Sequence, residues 1–341
     1  MTGKKTNVEI SVKGKWVSVP ALELGGKNIV VQGKWLRIAV VESEEWLETE
    51  LDDPETCVRM LKEERSPELR ADILSFAQKI PASKPKYNYP LEWDSIAAIC
   101  IHSYKEWWDS LPQETRKNVR RAEKRGVVVQ VRELDETLTR CILDLNNDSP
   151  VRQGKAFTHF GKTLEQVAKD QVAYLDRSDY VCAYAGDELI GVMKIVYRGD
   201  VAAILTFLPK ASHNDKRPAN ALIAKAVELC ASKGKEHLTF GRFNYGNKQQ
   251  TPLREFKIRN GFGEILMPRY FVPLTAKGKL GVSLKLYRGL LGILPHSVIT
   301  TLVNARSRFY GFTLSRCSSM PERPNSNRQM ECSNPPAGSI F

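Results

Sequence analysis

The order of elements between residues 134 and 275 constrains this chain more than any other feature of its sequence. Two helical patterns, about 134–146 and 162–176, lead into three consecutive strand patterns, YVCAYAGD, ELIGVMKIVYRGD and VAAILTFLP. Residues 218–232 then make the best helix in the chain. Ala219, Leu222, Ile223, Ala226, Val227 and Cys230 recur on one face, Pro218 suits a first turn, and Gly234 suits a C-terminal cap. HLTFGRF reads as a strand, PLREFKIRNGF as a helix and EILMPRYFVPLT as a last strand. Three strands in a row before the main helix argue against a simple doubly wound fold, in which strands and helices alternate. The expected class is α+β, a mixed sheet with flanking helices.

Upstream, residues 8–41 alternate in β fashion between Gly14, Gly25-Gly26 and Gly33, which predicts a meander of hairpins. Short helices are expected near 54–65 and 70–79, followed by an extended loop held by Pro81, Pro85 and Pro90. A strand at 95–102 precedes a helical region at 104–125 broken near Pro112. After Gly126 the segment VVVQVREL resumes as a strand. Residues 280–310 read as a helical cap broken at Pro295, and 316–341 as a Pro/Ser/Asn-rich disordered tail.

Charge narrows the partner. Fifty-one Lys and Arg against 39 Asp and Glu give a net charge of +12, and the pI is near 9.3. That excess favours an anionic partner: a CoA-type cofactor, a nucleotide-linked substrate, tRNA or an acidic membrane surface. Seven scattered cysteines without a C-x-x-C pair argue against a disulfide framework or zinc site, and no metal is expected. No signal-peptide pattern opens the sequence and no run of 18 apolar residues interrupts it, so a cytoplasmic protein is expected. A Ser-His-Asp order, H-E-x-x-H, a P-loop and a Rossmann fingerprint are all missing from the sequence.

The element order of 134–275 resembles the GNAT acyltransferase fold. Two local matches narrow the resemblance: TRKNVRRAEKRGVVV (115–129) is similar to an Arg-rich helix-to-strand segment, and EFKIRNGFGE (255–264) to the F-K-x-x-x-G-F/G segment, of FemAB-like proteins. Those proteins carry tandem GNAT-like units. The resemblance implies a degenerate N-terminal unit at 1–132, a GNAT-like acyltransferase unit at 133–278, a helical cap at 279–315 and the tail at 316–341. It also implies acyl transfer. Acyl-CoA, acetyl-CoA in the first instance, is the leading donor. Aminoacyl-tRNA, the donor of FemAB-like enzymes, is the alternative. A non-enzymatic module binding RNA or anionic surfaces is the third reading.

Candidate residues follow from both sources. In GNAT enzymes a Q/R-x-x-G-x-G/A turn meets the cofactor pyrophosphate at the main helix N-terminus, where unpaired N–H groups and the helix dipole attract phosphate. Here that stretch is Lys216-Arg217-Pro218-Ala219-Asn220-Ala221, with Ala219 in place of the central glycine. Lys216 and Arg217 would neutralise phosphate, Asn220 would face the site, and His213 would move a proton. Arg152, Gln153 and His159, between the two lead-in helices, make a polar set for an acceptor. After HLTFGRF, Asn244 would contact the cofactor and Tyr245 would serve as general acid. Lys257 would anchor a substrate phosphate or stabilise transition-state charge. The cations of 116–125 suit tRNA, and the basic amphipathic stretch 284–310 suits a peripheral membrane contact. The acceptor would be an amine on a small molecule, sugar, peptide or cell-envelope precursor. Transfer would be direct, with orientation supplying much of the acceleration.

Overall fold

The computed structural model describes residues 4–12, 15–42, 44, 50–152, 155–244 and 251–288. The helical cap expected at 280–310 is described only to Arg288, and the tail at 316–341 lies outside these residues. In chain order the first strands are β1 (Lys4–Val12), β2 (Lys15–Leu24), β3 (Lys27–Gln32) and β4 (Ile38–Val41). They are followed by α1 (Pro54–Glu63), β5 (Ile73–Ala77), β6 (Leu91–Cys100), α2 (Tyr104–Ser110), α3 (Gln113–Lys124) and β7 (Val127–Arg132). Next come α4 (Glu136–Asn146), the two-residue strands β8 (Val151–Arg152) and β9 (Lys155–Ala156), and α5 (Leu164–Gln171). The second half holds β10 (Ser178–Ala185), β11 (Glu188–Arg198), β12 (Val201–Pro209), α6 (Pro218–Ser232), β13 (His237–Arg242), α7 (Pro252–Arg259), β14 (Gly263–Pro273) and α8 (Ala276–Ser283).

All but β8 and β9 join one 12-stranded sheet, ordered β1-β2-β3-β4-β5-β14-β6-β13-β12-β11-β10-β7. The order is nearly symmetric about its centre. In each half an antiparallel meander ends in a crossover helix, α1 or α6, that returns the chain to a parallel neighbour. β4 meets β5 through three residue pairs, and β12 meets β13 through three. The strand that follows each of these units in sequence is exchanged: β6 pairs with β13 of the second half, and β14 with β5 of the first. β6 and β14 then pair with each other from Leu91↔Tyr270 to Ala98↔Gly263. The fold is therefore α+β with two tandem GNAT-like units, as the element order implied.

The two sheet faces are covered unequally. Ile99 and Leu238 pack with Trp107 of α2, Ala122 of α3 and Leu222 of α6 in the largest core cluster. Leu138 and Ile142 of α4 and Val167 of α5 cover the opposite face of the second half, on Tyr180 and Val192. α1 packs Cys57 and Leu61 on Leu74 and Tyr270 in the first half.

One expectation changes. Residues 70–79 hold a strand, not a helix: ILSFA is buried throughout, between β4 and β14. A five-residue apolar run fits either element, and here two neighbouring strands supply the ladder. β7 pairs with β10 from Val127↔Ala185 to Arg132↔Tyr180. α3 packs on α6.

Near the seam lies a buried charge triad. Arg269 of β14 donates from Nη1 to Glu44 Oε2 at 2.7 Å and from Nε to Asp94 Oδ2 of β6 at 2.6 Å. Burial works against its charge, but the two carboxylates outweigh it and hold the guanidinium above its ordinary range. Arg269→Ala would leave both carboxylates without their shared cation in a partly buried site, at a cost of about 1–3 kcal/mol. Urea denaturation is expected to show that loss, and the triple variant Glu44→Gln, Asp94→Asn, Arg269→Met is expected to recover most of it.

Candidate active site at a split between parallel strands

β12 and β13 pair only at Val201↔His237, Ala202↔Leu238 and Ala203↔Thr239. Each strand bulges directly after its last pair. On β12 the register to β11 steps from Ile204↔Ile195 to Thr206↔Lys194, leaving Leu205 as the extra residue. On β13 the register to β6 steps from Thr239↔Ala98 to Arg242↔Ile96, with Gly241 at φ 56°. A bulge bends its strand and increases local twist, and two of them facing each other part the strands.

Lys257 of α7 sits at the parting. Thr251 caps this helix through the Arg254 N–H, and the helix carries the lysine inward rather than to solvent. Its side chain is fully buried. Nζ donates to Phe240 O at 2.6 Å and Arg242 O at 2.7 Å, both on β13 past its last pair with β12. The ammonium also stands 4.6 Å above the Phe240 ring. Burial lowers its pKa to about 8, so the charged form still predominates near neutrality. Phe207 of β12 meets Phe240 at 5.2 Å and Phe256 of α7 at 5.7 Å, so rings bridge the gap in the core cluster shared with α6.

The N-terminus of α6 offers little to a pyrophosphate. Arg217 takes a left-handed conformation (φ 60°) and no side chain caps the helix. Pro218 has no N–H, and the Asn220 and Ala221 N–H groups both reach back to Arg217 O, at 3.2 and 3.4 Å. Ala219 supplies the one first-turn N–H without a backbone acceptor. Ala221 is buried. Asn220, expected to face the cofactor, donates from Nδ2 to Asn260 Oδ1 at 3.0 Å. Buried Asn260 donates in turn to Phe256 O, so this pair ties α6 to α7. Lys216 is half-buried, and Arg217 is exposed.

The remaining predicted residues fall into two groups. His213 lies beside Glu188, Nε2 to Oε2 3.4 Å, and Ser212 Oγ, while Ser212 Oγ and the Ala211 N–H both bond to Asp148. Arg152 donates to Leu145 O and Pro209 O and stacks 4.6 Å over Phe157, whose ring meets His159 at 5.4 Å. Burial lowers the Arg152 pKa; burial, then the charge of Lys162, lowers that of His159. His159 Nδ1 also approaches Asp170 at 3.1 Å. Asn244 is held by Glu264 and Arg254 and lines a cavity described below. Gln153 and Tyr245 lie outside the described residues.

Two cavities that sequence reasoning missed adjoin the split. One, of about 920 Å³, is lined by Ala203, Thr239 and Gly241 beside the parting and by Lys79 and Lys86 of the first lobe. The other, of about 1270 Å³, shares Asp94, Arg242 and Arg269 with it, and together they form one trough. An arginine inside the apolar strand EILMPRYFVP was the one local signal for this region. The first-lobe lining has no local signature, because strand exchange brings it there.

No family model matches the chain, and no curated protein matches it. Solved structures do. FemX superposes with a TM-score of 0.51 at 11% identity, over 82% of this chain and 90% of that one. L-PGS from Bacillus licheniformis gives 0.49 at 13% identity, over 78% and 86%. A tandem GNAT protein from the clavulanic acid biosynthesis pathway gives 0.40 at 8% identity, over 76% and 83%.

One titration isolates Lys257. Its pKa falls from 10.5 unfolded to about 8 folded, so between those values the unfolded state binds more protons. Stability therefore rises with pH across that window, from a penalty fully present below about 8. Urea denaturation from pH 7.5 to 10 is expected to show the wild type gaining on Lys257→Met; a difference independent of pH contradicts this placement. The superposition shows a shared fold: this chain folds like FemX, with two GNAT-like units joined in one sheet.

Proposed function

We propose that the protein transfers an acyl group to an amine, with an aminoacyl ester of tRNA rather than acyl-CoA as donor. The observation that carries the donor choice is the start of α6. A pyrophosphate needs several converging N–H groups, and Pro218 together with the two bonds to Arg217 O leaves only that of Ala219. This counts against acetyl-CoA, the donor that the GNAT resemblance put first. α3 supports the alternative: Lys117, Arg120 and Lys124 are exposed, and its C-terminal Arg125 binds the carbonyl of Asp215 in the loop before α6. Cations on a helix that reaches the loop before α6 suit a phosphate backbone.

The chemistry is an aminolysis. The acceptor nitrogen attacks the ester carbonyl, a C–N bond forms and the C–O bond to the ribose breaks. The amine's proton ends on the departing oxygen, through water or a histidine. Lys257 places a positive charge at the parting of β12 and β13, where it would stabilise the developing oxyanion. The trough, on the sheet face that carries α5 and α8, would hold the acceptor. The FemX likeness is one of fold, and an envelope precursor as acceptor belongs to this proposal, as does a cytoplasmic site of action, where charged tRNA is made.

The test is transfer of radiolabelled amino acid from charged tRNA to amine acceptors, beside thermal shift with acetyl-CoA. Transfer without an acetyl-CoA shift is expected. Stabilisation by acetyl-CoA with charged tRNA untouched would reverse the donor assignment. Lys257→Met is expected to lower the rate about 100-fold, the scale of losing one oxyanion donor. Arg120→Glu with Lys124→Glu is expected to weaken tRNA binding and flatten its dependence on salt.

A further inference from the structure

The first hairpin reaches across the molecule. β2 pairs with β3 only at Ala21–Leu24, so residues 15–20 pair with β1 alone. No residue of β1 is buried. A two-stranded ribbon without a buried face is marginal by itself. This one is held at its far end by α5 of the second lobe. Trp16 Nε1 donates to Asp170 Oδ1 at 3.1 Å, Lys169 pairs with Glu9 at 2.9 Å, and the Lys169 ammonium stands 5.3 Å from the Trp16 ring. Asp170 is itself fixed by Lys162 at 2.5 Å and by His159. Between the two attachments lies the larger cavity of the trough, with Glu9, Val12 and Trp16 on one side and Val40, Ser75 and Arg269 on the other.

We propose that hairpin β1–β2 is a gate: it lifts from α5 to admit the acceptor to the trough and closes over it. The contacts are of the kind that break and remake readily, one hydrogen bond, one exposed ion pair and one cation–ring contact, while α5 keeps its half of the clasp preorganised through Asp170. That the trough takes an acceptor rests on the transferase reading; the gate itself does not.

The experiment uses the full chain and no substrate. Trp16→Phe with Lys169→Ala removes the N–H donor and the cation. Hydrogen exchange of residues 4–12 is expected to quicken about tenfold, with β5 and β6 unchanged as the control for folding. In a Val40→Cys background, labelling of residue 40 by a polymer-linked maleimide, read by peptide mapping, is expected to quicken about tenfold in the same double variant. Unchanged exchange would mean that the clasp does not hold the arm; unchanged labelling would mean that the arm does not cover the trough. Either result overturns the gate. A gate that responds in a protein without transfer activity overturns the transferase reading instead.

Discussion

Everything at the centre of this protein depends on the antiparallel pairing of β6 with β14. These strands close the two units, and each lies in the other's half, so neither unit can complete its sheet alone. The exchange has a cost in contact order, since strands more than 160 residues apart must find each other before the seam exists. In return the two lobes share one continuous sheet, and the trough gains walls from both. Arg269, fixed between Glu44 and Asp94, is where that seam carries charge inside the trough.

The chemistry follows from a smaller constraint of the same sheet. A parallel pair that continued past Ala203 and Thr239 would satisfy its own backbone. Two bulges prevent that, and the β13 carbonyls of Phe240 and Arg242 turn to an ammonium instead. Solvation of Lys257 by carbonyls keeps a buried charge tolerable, and its depressed pKa measures how nearly it fails to. A positive charge held this way is fixed in place before any substrate arrives. The α6 N-terminus, the usual anion site of such folds, is largely closed by its own chain.

Much of the second half was legible in the sequence. Strand 201–209 and helix 218–232 coincide with β12 and α6, because alternation, 3/4 spacing, Pro218 and Gly234 all pointed the same way. Local pattern failed where partners are distant. ILSFA is a strand because β4 and β14 flank it. Nothing near Asn220 in the sequence reveals its partner Asn260, forty residues on. Lys257 was visible as a residue of the F-K pair, but its burial depends on bulges that only pairing defines. Arg152 was legible only as part of a polar set for an acceptor; its partners Leu145 O and Pro209 O appear only when α4 and β12 converge.

The most direct measurement is a structure with a non-hydrolysable aminoacyl-adenosine amide, a mimic of the charged 3′ end of tRNA. The account places its carbonyl at the parting of β12 and β13, within hydrogen-bond reach of Lys257 Nζ. A carbonyl bound elsewhere, with Lys257 still enclosed by Phe240 O and Arg242 O and out of its reach, would contradict it.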